Sequence, residues 1–290
     1  MVSIPWYGLV LITAVLSAII NIIKKHVLNH EHALEQMAAE TPFRMFAILF
    51  LIPFVEIPTL EQAGMIIITA TILFFTILYT NKSYRHLPIS TVAPLRNLSP
   101  LFLFVIAIGL LGERINTWQF LGIGLLMIGG YLLDLQGKDV FAPLRHAAKS
   151  KYSATVIVML MFMSILGALD KINLQELAIP SFSYLFWLYL VYSILSFSAH
   201  SIQYGNTQIL DDIKKGGKWL ALTGALTVIE ISILYYALAI PGVLIILVVP
   251  LRRTATLIET FVGGKIFGEK RLAQKVFASC VMILGVFFIV

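Results

Sequence analysis

Long apolar blocks, each close to twenty residues, alternate with short polar connections along the whole chain. A helix rises 1.5 Å per residue, so about twenty residues cross a hydrocarbon layer roughly 30 Å thick. The pattern therefore predicts an all-α membrane protein with ten transmembrane helices. The predicted helices are 4–24, 41–57, 62–81, 89–111 and 117–135, followed by 152–170, 180–202, 217–238, 242–264 and 272–290.

The composition agrees with lipid as the surrounding solvent. Hydrophobic residues make up 59% of the 290 positions and charged residues 12%, whereas soluble domains carry about 25% charged residues. The bases behind the net charge of +6 are scattered singly through short loops, so we expect no nucleic-acid partner. Cys280 is the single cysteine, which excludes an internal disulfide and a thiolate metal cluster. We expect no cofactor and no metal site.

Internal similarity divides the chain into two copies of one five-helix unit. An offset of 156 positions pairs Pro94-Leu95-Arg96 with Pro250-Leu251-Arg252, and Gly112-Glu113 with Gly268-Glu269. Five helices per unit is an odd number, so the second copy must enter the membrane from the opposite side. We therefore predict inverted repeats at 1–136 and 152–290, joined by a polar linker at 137–151 that could contain an interfacial turn.

The distribution of bases predicts the orientation. Most of the 21 Lys and Arg residues fall in the odd-numbered loops, which the positive-inside rule places in the cytoplasm. Both termini are then expected outside. The residues before the first helix lack the positive stretch of a cleaved signal, so we expect that helix to be retained.

These motifs resemble the drug/metabolite transporter superfamily, specifically its ten-helix EamA-type members. Each repeat of that family carries a proline in its fourth helix, then a Gly-Glu turn and a glycine-bearing fifth helix. The resemblance covers nearly the whole chain and implies a transporter. The matching residues are Pro94, Gly112-Glu113 and Gly129-Gly130 in the first half, and Pro250, Gly268-Glu269 and Gly285 in the second.

The same resemblance does not define the substrate. The superfamily resembles exporters of amino acids and toxic compounds, and it also resembles carriers of sugar phosphates and nucleotide sugars. The resemblance is therefore compatible with several classes of substrate. The paired bases Arg252-Arg253 in the ninth helix resemble a feature of carriers of anionic substrates. One departure is that many relatives keep their termini in the cytoplasm, whereas the charge bias here predicts the opposite.

Charged residues inside the apolar spans are the main site candidates, because a charge near the bilayer centre costs about 2.5 kcal/mol or more. We predict that Arg96, Arg252 and Arg253 bind a substrate carboxylate or phosphate, whose geometry suits guanidinium donors. Glu230 or Glu259 would be the ion-coupling site, binding a proton when the substrate leaves. The alternative is that one of these glutamates permanently neutralises an arginine and locks the eighth helix to the ninth.

Further substrate-binding candidates lie near these charges. Thr256 follows Arg252 by one helical turn, Asn97 follows Arg96, and Tyr79 and Tyr235 are related by the repeat. The alternatives are an interfacial position for the tyrosines and helix packing for Asn97.

Prolines and glycines inside the predicted spans also indicate how the helices pack. Pro94 and Pro250 each release a backbone carbonyl, which places them at a central cavity because lipid cannot satisfy that group. Gly109, Gly124 and Gly263-Gly264 are expected to permit close helix approach.

Three further charged positions have mainly structural interpretations. Glu113 and Glu269 are expected to serve as turn or helix-capping residues. Lys171 ends its predicted helix, so we expect its ammonium group to snorkel to the interface.

Together these features predict a secondary transporter and not an enzyme. It would move a small anionic or zwitterionic metabolite, such as an amino acid, organic acid or sugar phosphate, by alternating access, with a proton as the candidate coupling ion. The alternative is a polytopic membrane enzyme acting on lipid-linked substrates, but no cluster of Asp, His or Ser marks one membrane face. We expect a monomer in a cell membrane, the prokaryotic inner membrane, with a small-molecule substrate and the lipid bilayer as partners.

Overall fold

The computed structural model describes residues 5–27, 33–87, 89–135, 139–204, 207–258 and 272–290, and all regular structure in these ranges is helical. The helices are α1 Trp6–Val27, α2 Ala33–Leu49, α3 Leu60–His86, α4 Ile89–Arg96, α5 Ser99–Gly109, α6 Thr117–Leu133, α7 Ala142–Lys149, α8 Ser153–Lys171, α9 Ser181–Tyr204, α10 Thr207–Leu238, α11 Ile245–Arg252 and α12 Leu272–Ile289. A 3-10 turn at Ile52–Phe54, a π turn at Ile172–Glu176 and a helical segment at 255–258 complete the described elements.

The predicted multi-pass helical membrane fold is confirmed. Within the described ranges six helices are long and apolar enough to cross a membrane, and two shorter apolar helices accompany them. The count of ten stays a prediction, because residues 259–271 lie outside the described part of the chain. The six spans are Trp6–Ile23, Leu60–Ser83, Thr91–Gly109, Ser153–Glu176, Ser181–Gln203 and Gly217–Leu238, and the shorter helices are Thr117–Leu133 and Gln274–Ile289.

The second helix lies earlier in the chain than predicted. It was expected at 41–57, but α2 is Ala33–Leu49, and the apolar residues after it form the 3-10 turn that contains Pro53. Proline lacks the N–H that a continuing helix needs, so the apolar run there does not become helix. Thr59 then caps α3, accepting a hydrogen bond from the backbone N–H of Gln62.

Both helices that carry the Pro-Leu-Arg motif are broken just after it, where one continuous helix was expected in each half. In the first half α4 ends at Arg96 and α5 begins at Ser99; in the second, α11 ends at Arg252 and helix resumes at 255–258. The backbone hydrogen bonds at the two breaks correspond at the offset of 156. Asn97 N–H donates to the carbonyl of Pro94 (3.1 Å) and Arg253 N–H to that of Pro250 (3.0 Å).

The predicted linker contains the short helix α7. Its Pro143 and Ala147 are buried, while Phe141 and Leu144 are exposed. An interfacial turn was expected in this region; the structure shows a helix of eight residues there, and its interfacial position stays a prediction. The boundaries 1–136, 137–151 and 152–290 stay predictions.

The fifth helices of the two halves, α6 and α12, pack closely along a line of glycines. A Cβ added at Gly285 would lie 2.9 Å from the carbonyl oxygen of Gly122, and one at Gly122 would lie 2.8 Å from the carbonyl oxygen of Gly285. The expectation for Gly109 and Gly124 is wrong, because a Cβ at either position would meet nothing within 4 Å. Both lie away from helix contacts, which periodicity alone could not reveal. Gly263-Gly264 lies outside the described residues.

Candidate functional site

Arg252 and Glu230 form an ion pair between α11 and α10. The Nε of Arg252 donates to Oε1 of Glu230 at 2.9 Å, and the Nη2 of the same guanidinium donates to the same oxygen. The Glu230 side chain is 3% exposed, but that of Arg252 is 33% exposed. This ion pair is the contact expected from the alternative interpretation, in which a glutamate neutralises an arginine. The guanidinium nevertheless keeps accessible surface, so the binding role of Arg252 stays a prediction.

Arg253 connects the helix breaks of the two halves. Its Nη2 donates to the hydroxyl of Ser99, the first residue of α5, at 3.1 Å. The carbonyl of Ser99 in turn accepts a hydrogen bond from the hydroxyl of Ser164 in α8 at 3.0 Å. Arg96 ends α4 beside the same break and is partly buried. The sequence therefore identified charges that the fold brings to the contact between the two broken helices.

Two further predicted residues make internal contacts. The amide of Asn97 is buried and donates to the carbonyl of Gly130 (2.9 Å) and to the carboxylate of Asp134 (2.8 Å), which joins the first break to α6. Thr256 is also buried, and its hydroxyl donates to the carbonyl of Arg253 at 2.8 Å. These hydrogen bonds fit the packing alternative for Asn97, and a substrate contact for either residue stays a prediction.

The repeat-related tyrosines lie in different surroundings. Tyr79 is half-buried, and its ring stacks on Phe162 with the centroids 5.7 Å apart. Tyr235 is 5% exposed and donates its hydroxyl to Oδ1 of Asp170 at 3.2 Å. Sequence correspondence therefore does not give these two residues the same environment.

Asp170 is the main interior residue that the sequence pattern does not identify. Its Oδ1 accepts hydrogen bonds from Tyr184 of α9 at 2.6 Å and from Tyr235 of α10, and the two tyrosine rings lie 5.0 Å apart. The apolar span is predicted to end at residue 170, which assigns Asp170 to the interface. In the structure the span continues through the π turn to Glu176, so the carboxylate lies inside the bundle.

A second interior pair is also missing from the predicted site. Arg44 Nη2 donates to Glu40 Oε2 at 2.7 Å within α2, and both side chains are buried. The guanidinium carbon lies 5.8 Å from the centre of the Tyr189 ring. The i, i+4 spacing of Glu and Arg could have revealed this pair, but the second helix is predicted to begin after Glu40.

Glu113 caps a helix, as predicted, but the helix belongs to the other half of the chain. Its carboxylate accepts hydrogen bonds from the backbone N–H of Ile245 (2.8 Å) and Ile246 (3.0 Å), at an α11 N-terminus whose own N-cap side chain makes none. Lys171 donates to the same carboxylate at 2.6 Å and is 8% exposed. The expectation that Lys171 snorkels is wrong, because a buried partner satisfies its charge. Glu259 and Glu269 lie outside the described residues.

Two apolar cavities open beside the bundle. One of about 630 Å³ lies between α2 and α10, and one of about 270 Å³ lies between α1, the segment after α11, and α12. Neither is lined by Arg96, Arg252 or Arg253. The larger is lined mainly by Phe43, Phe46, Phe50, Phe182, Val228 and Ile229.

Residues 4–134 match the model of the EamA-like transporter family. This part of the chain is an EamA-like transporter domain. The expected EamA-type resemblance is therefore confirmed for residues 4–134, and the protein is a multi-pass membrane protein. That family match is consistent with a transport function.

Structural comparison extends the similarity beyond the EamA-like domain. A crystal structure described only as that of a protein has the same fold, with a TM-score of 0.71 and 12% sequence identity. The similarity covers 98% of this chain and 95% of that one, so the second half shares the fold as well. A comparison with curated proteins finds no match.

Proposed function

We propose that this EamA-like protein is a secondary transporter that moves a small anionic or zwitterionic metabolite by alternating access. The contact between Arg253 and Ser99 is the main support, because it joins the two repeat-related helix breaks at a charged position. Broken helices expose backbone groups inside the membrane, and transporters use such positions at the interface of their repeats to bind solutes.

The Arg252–Glu230 pair suggests how binding and proton transfer are coupled. In the described conformation Glu230 neutralises Arg252. Protonation of Glu230 removes that countercharge and frees the guanidinium for a carboxylate or phosphate of the solute. Loss of the proton re-forms the ion pair and releases the solute, so in this proposal the proton binds together with the solute and not, as the sequence suggested, when the solute leaves. This competition gives the pair a transport role that is compatible with its contact in the structure.

Alternating access then requires the repeats 1–136 and 152–290 to tilt about this position. Glu113 ties the first half to the start of α11, while Arg253 ties the end of α11 to α5. The helix α11 of the second half is therefore tied to the first half near both of its ends, so a movement between the halves would displace α11 and Arg252 at its end. We further propose that the protein functions as a monomer in a prokaryotic inner membrane.

Substitution of Arg252 tests the proposed transport site. Purified protein is first screened by thermal shift against amino acids, organic acids, sugar phosphates and cationic drugs, because a ligand of the native state raises the melting temperature. We expect Arg252→Ala in liposomes to lose transport of the identified solute at least tenfold, since a charged hydrogen bond contributes about 1.5–3 kcal/mol.

Arg145→Ala is the matched control, because Arg145 is 60% exposed on α7 and pairs with Asp139 away from the bundle interior. It should transport at the wild-type rate. If every solute tested is still transported by both Arg252→Ala and Arg253→Ala, the site assignment is wrong.

A further inference from the structure

Asp170 differs from the other interior acids because, among the described residues, no basic side chain forms a hydrogen bond or an ion pair with it. Glu40 pairs with Arg44, Glu113 with Lys171 and Glu230 with Arg252. Within the described ranges, the hydrogen-bond partners of Asp170 are the neutral hydroxyls of Tyr184 and Tyr235. An ionisable group inside a membrane is costly and indicates a functional site when its charge is not balanced locally.

Both tyrosines donate to the same oxygen of Asp170. Oδ1 receives the two hydrogen bonds, while Oδ2 accepts none from any described residue. The residue also keeps accessible surface, although Tyr184 is 0% exposed and Tyr235 is 5% exposed. An ionised carboxylate has about four lone-pair positions, so this arrangement orients the group and leaves Oδ2 open to a ligand.

Asn173, one turn after Asp170, supplies a second open acceptor. Its side chain is fully buried, and its amide nitrogen donates to Thr69 (2.9 Å) and to the carbonyl of Leu169 (2.8 Å). Its Oδ1 has no hydrogen-bond partner among the described residues. Asn173 and Thr69 also interact with the hydroxyl of Tyr184, which itself donates to Asp170. A buried acceptor without a donor is costly, and a ligand with N–H groups would remove that cost.

The available groups favour a primary ammonium as the ligand. An ammonium carries a positive charge and three N–H donors, which match the carboxylate Oδ2, the Asn173 carbonyl and a hydroxyl oxygen. The aromatic rings of Tyr184 and Tyr235 can add cation–π attraction. A proton on Asp170 would balance the charge but would leave the Asn173 carbonyl without a donor.

We propose that Asp170, Asn173, Tyr184 and Tyr235 bind the primary ammonium group of the transported solute. The inference rests on the proposed transport function and deepens it, because the solute would then carry both charges. The guanidinium of Arg252 interacts electrostatically with Asp170, and in the proposed mechanism it binds the acidic end of such a solute. The substrate class narrows to amino acids and related zwitterions.

Matched pairs of solutes test the ammonium subsite. Binding to the full-length protein in nanodiscs is measured for L-phenylalanine, L-leucine and L-glutamate, each against its counterpart without the amine: 3-phenylpropanoate, 4-methylpentanoate and glutarate. We expect at least one amino acid to bind the wild type at least tenfold more tightly than its counterpart. Asp170→Asn should abolish this preference by weakening the amino acid about tenfold while leaving the counterpart unchanged.

Tyr235→Phe is a milder second variant that removes one hydroxyl and keeps the carboxylate. It should reduce the amine preference severalfold, and it keeps the test decisive if Asp170→Asn does not fold. If the wild type binds both members of every pair equally, the ammonium subsite is wrong, but the proposed transport of anions is not contradicted. Equal loss of both members in Asp170→Asn, together with loss of proton movement, would show a coupling role and overturn it as well. If no solute is transported in the liposome assay, the proposed transport function itself is rejected.

Discussion

Glu113 illustrates how a single carboxylate can satisfy several buried groups at once. Two backbone N–H groups at the start of α11 and the ammonium of Lys171 all donate to it. A helix N-terminus carries partial positive charge, so the carboxylate stabilises both the helix end and the buried lysine. The Gly-Glu turn of the EamA-like domain therefore has a specific structural role in this protein.

We expect Glu113→Ala to lower the stability of the protein by about 3–5 kcal/mol, because it leaves a buried ammonium without its partner. The measurement is the melting temperature of the purified protein. Glu61→Ala is the control, since Glu61 is exposed in the first turn of α3 and its loss should change stability by only a few tenths of a kcal/mol.

Removing both partners gives a second check on this contact. The double variant Glu113→Ala, Lys171→Met should recover part of the lost stability, because it no longer buries an isolated charge. Strict additivity of the two single substitutions would contradict the pairing.

At the scale of elements, the two broken helices differ from the glycine-lined pair α6 and α12 in how regularly their backbones are bonded and how closely they pack. The breaks after Arg96 and Arg252 replace regular helical hydrogen bonds with turns and concentrate charge at one contact. The α6–α12 contact, in contrast, brings two backbones so close that side chains cannot fit between them. The protein therefore combines a polar, interrupted interior with a tightly packed pair of helices.

The packed helix pair predicts a large effect from a small substitution. Gly285→Ala should destabilise the protein by about 1–3 kcal/mol, because the new methyl group would meet backbone atoms of Gly122 and Leu126 at 2.9 Å. Thermal unfolding in detergent measures the effect. Gly124→Ala on the same helix α6 is the control, since no atom lies within 4 Å of its added methyl group. Equal melting temperatures for the two variants would show that α6 and α12 do not pack in this way.

At the scale of the whole molecule, the proposed transport mechanism requires the solute, the ion pair and the two halves to act together. Glu230 belongs to α10, whereas Arg252 and Arg253 lie at the break of α11 that contacts the first half. A change in the charge of Glu230 can therefore alter solute binding and the contact between halves in one step.

Glu230→Gln tests this coupling. The amide cannot bind and release a proton as the solute binds and leaves, so exchange of labelled for unlabelled solute should persist while proton-driven accumulation is lost. Both are measured in liposomes with and without a pH gradient. Glu230→Asp, which keeps the carboxylate, should retain part of the accumulation. Full accumulation by Glu230→Gln would exclude Glu230 as the coupling residue.

Much of the fold follows from local pattern. The apolar blocks predict most spans within a few residues, and the match of Pro94-Leu95-Arg96 with Pro250-Leu251-Arg252 picks out two corresponding positions, which the structure shows to precede helix breaks. The second helix was misplaced because Pro53 ends regular helix inside an apolar run. The break itself was missed because a span of the right hydropathy can be continuous or interrupted.

The sequence by itself determined the membrane environment, the internal similarity, the EamA-type resemblance and the presence of arginines inside the spans, because these depend on composition and on distances along the chain. Tertiary structure decided that Arg252 pairs with Glu230, that Glu113 caps a helix of the opposite half and that Asp170 lies between Tyr184 and Tyr235. These contacts depend on how separate helices are rotated and spaced against one another. Residues that meet across 22, 65 or 132 positions have no local pattern that records their contact.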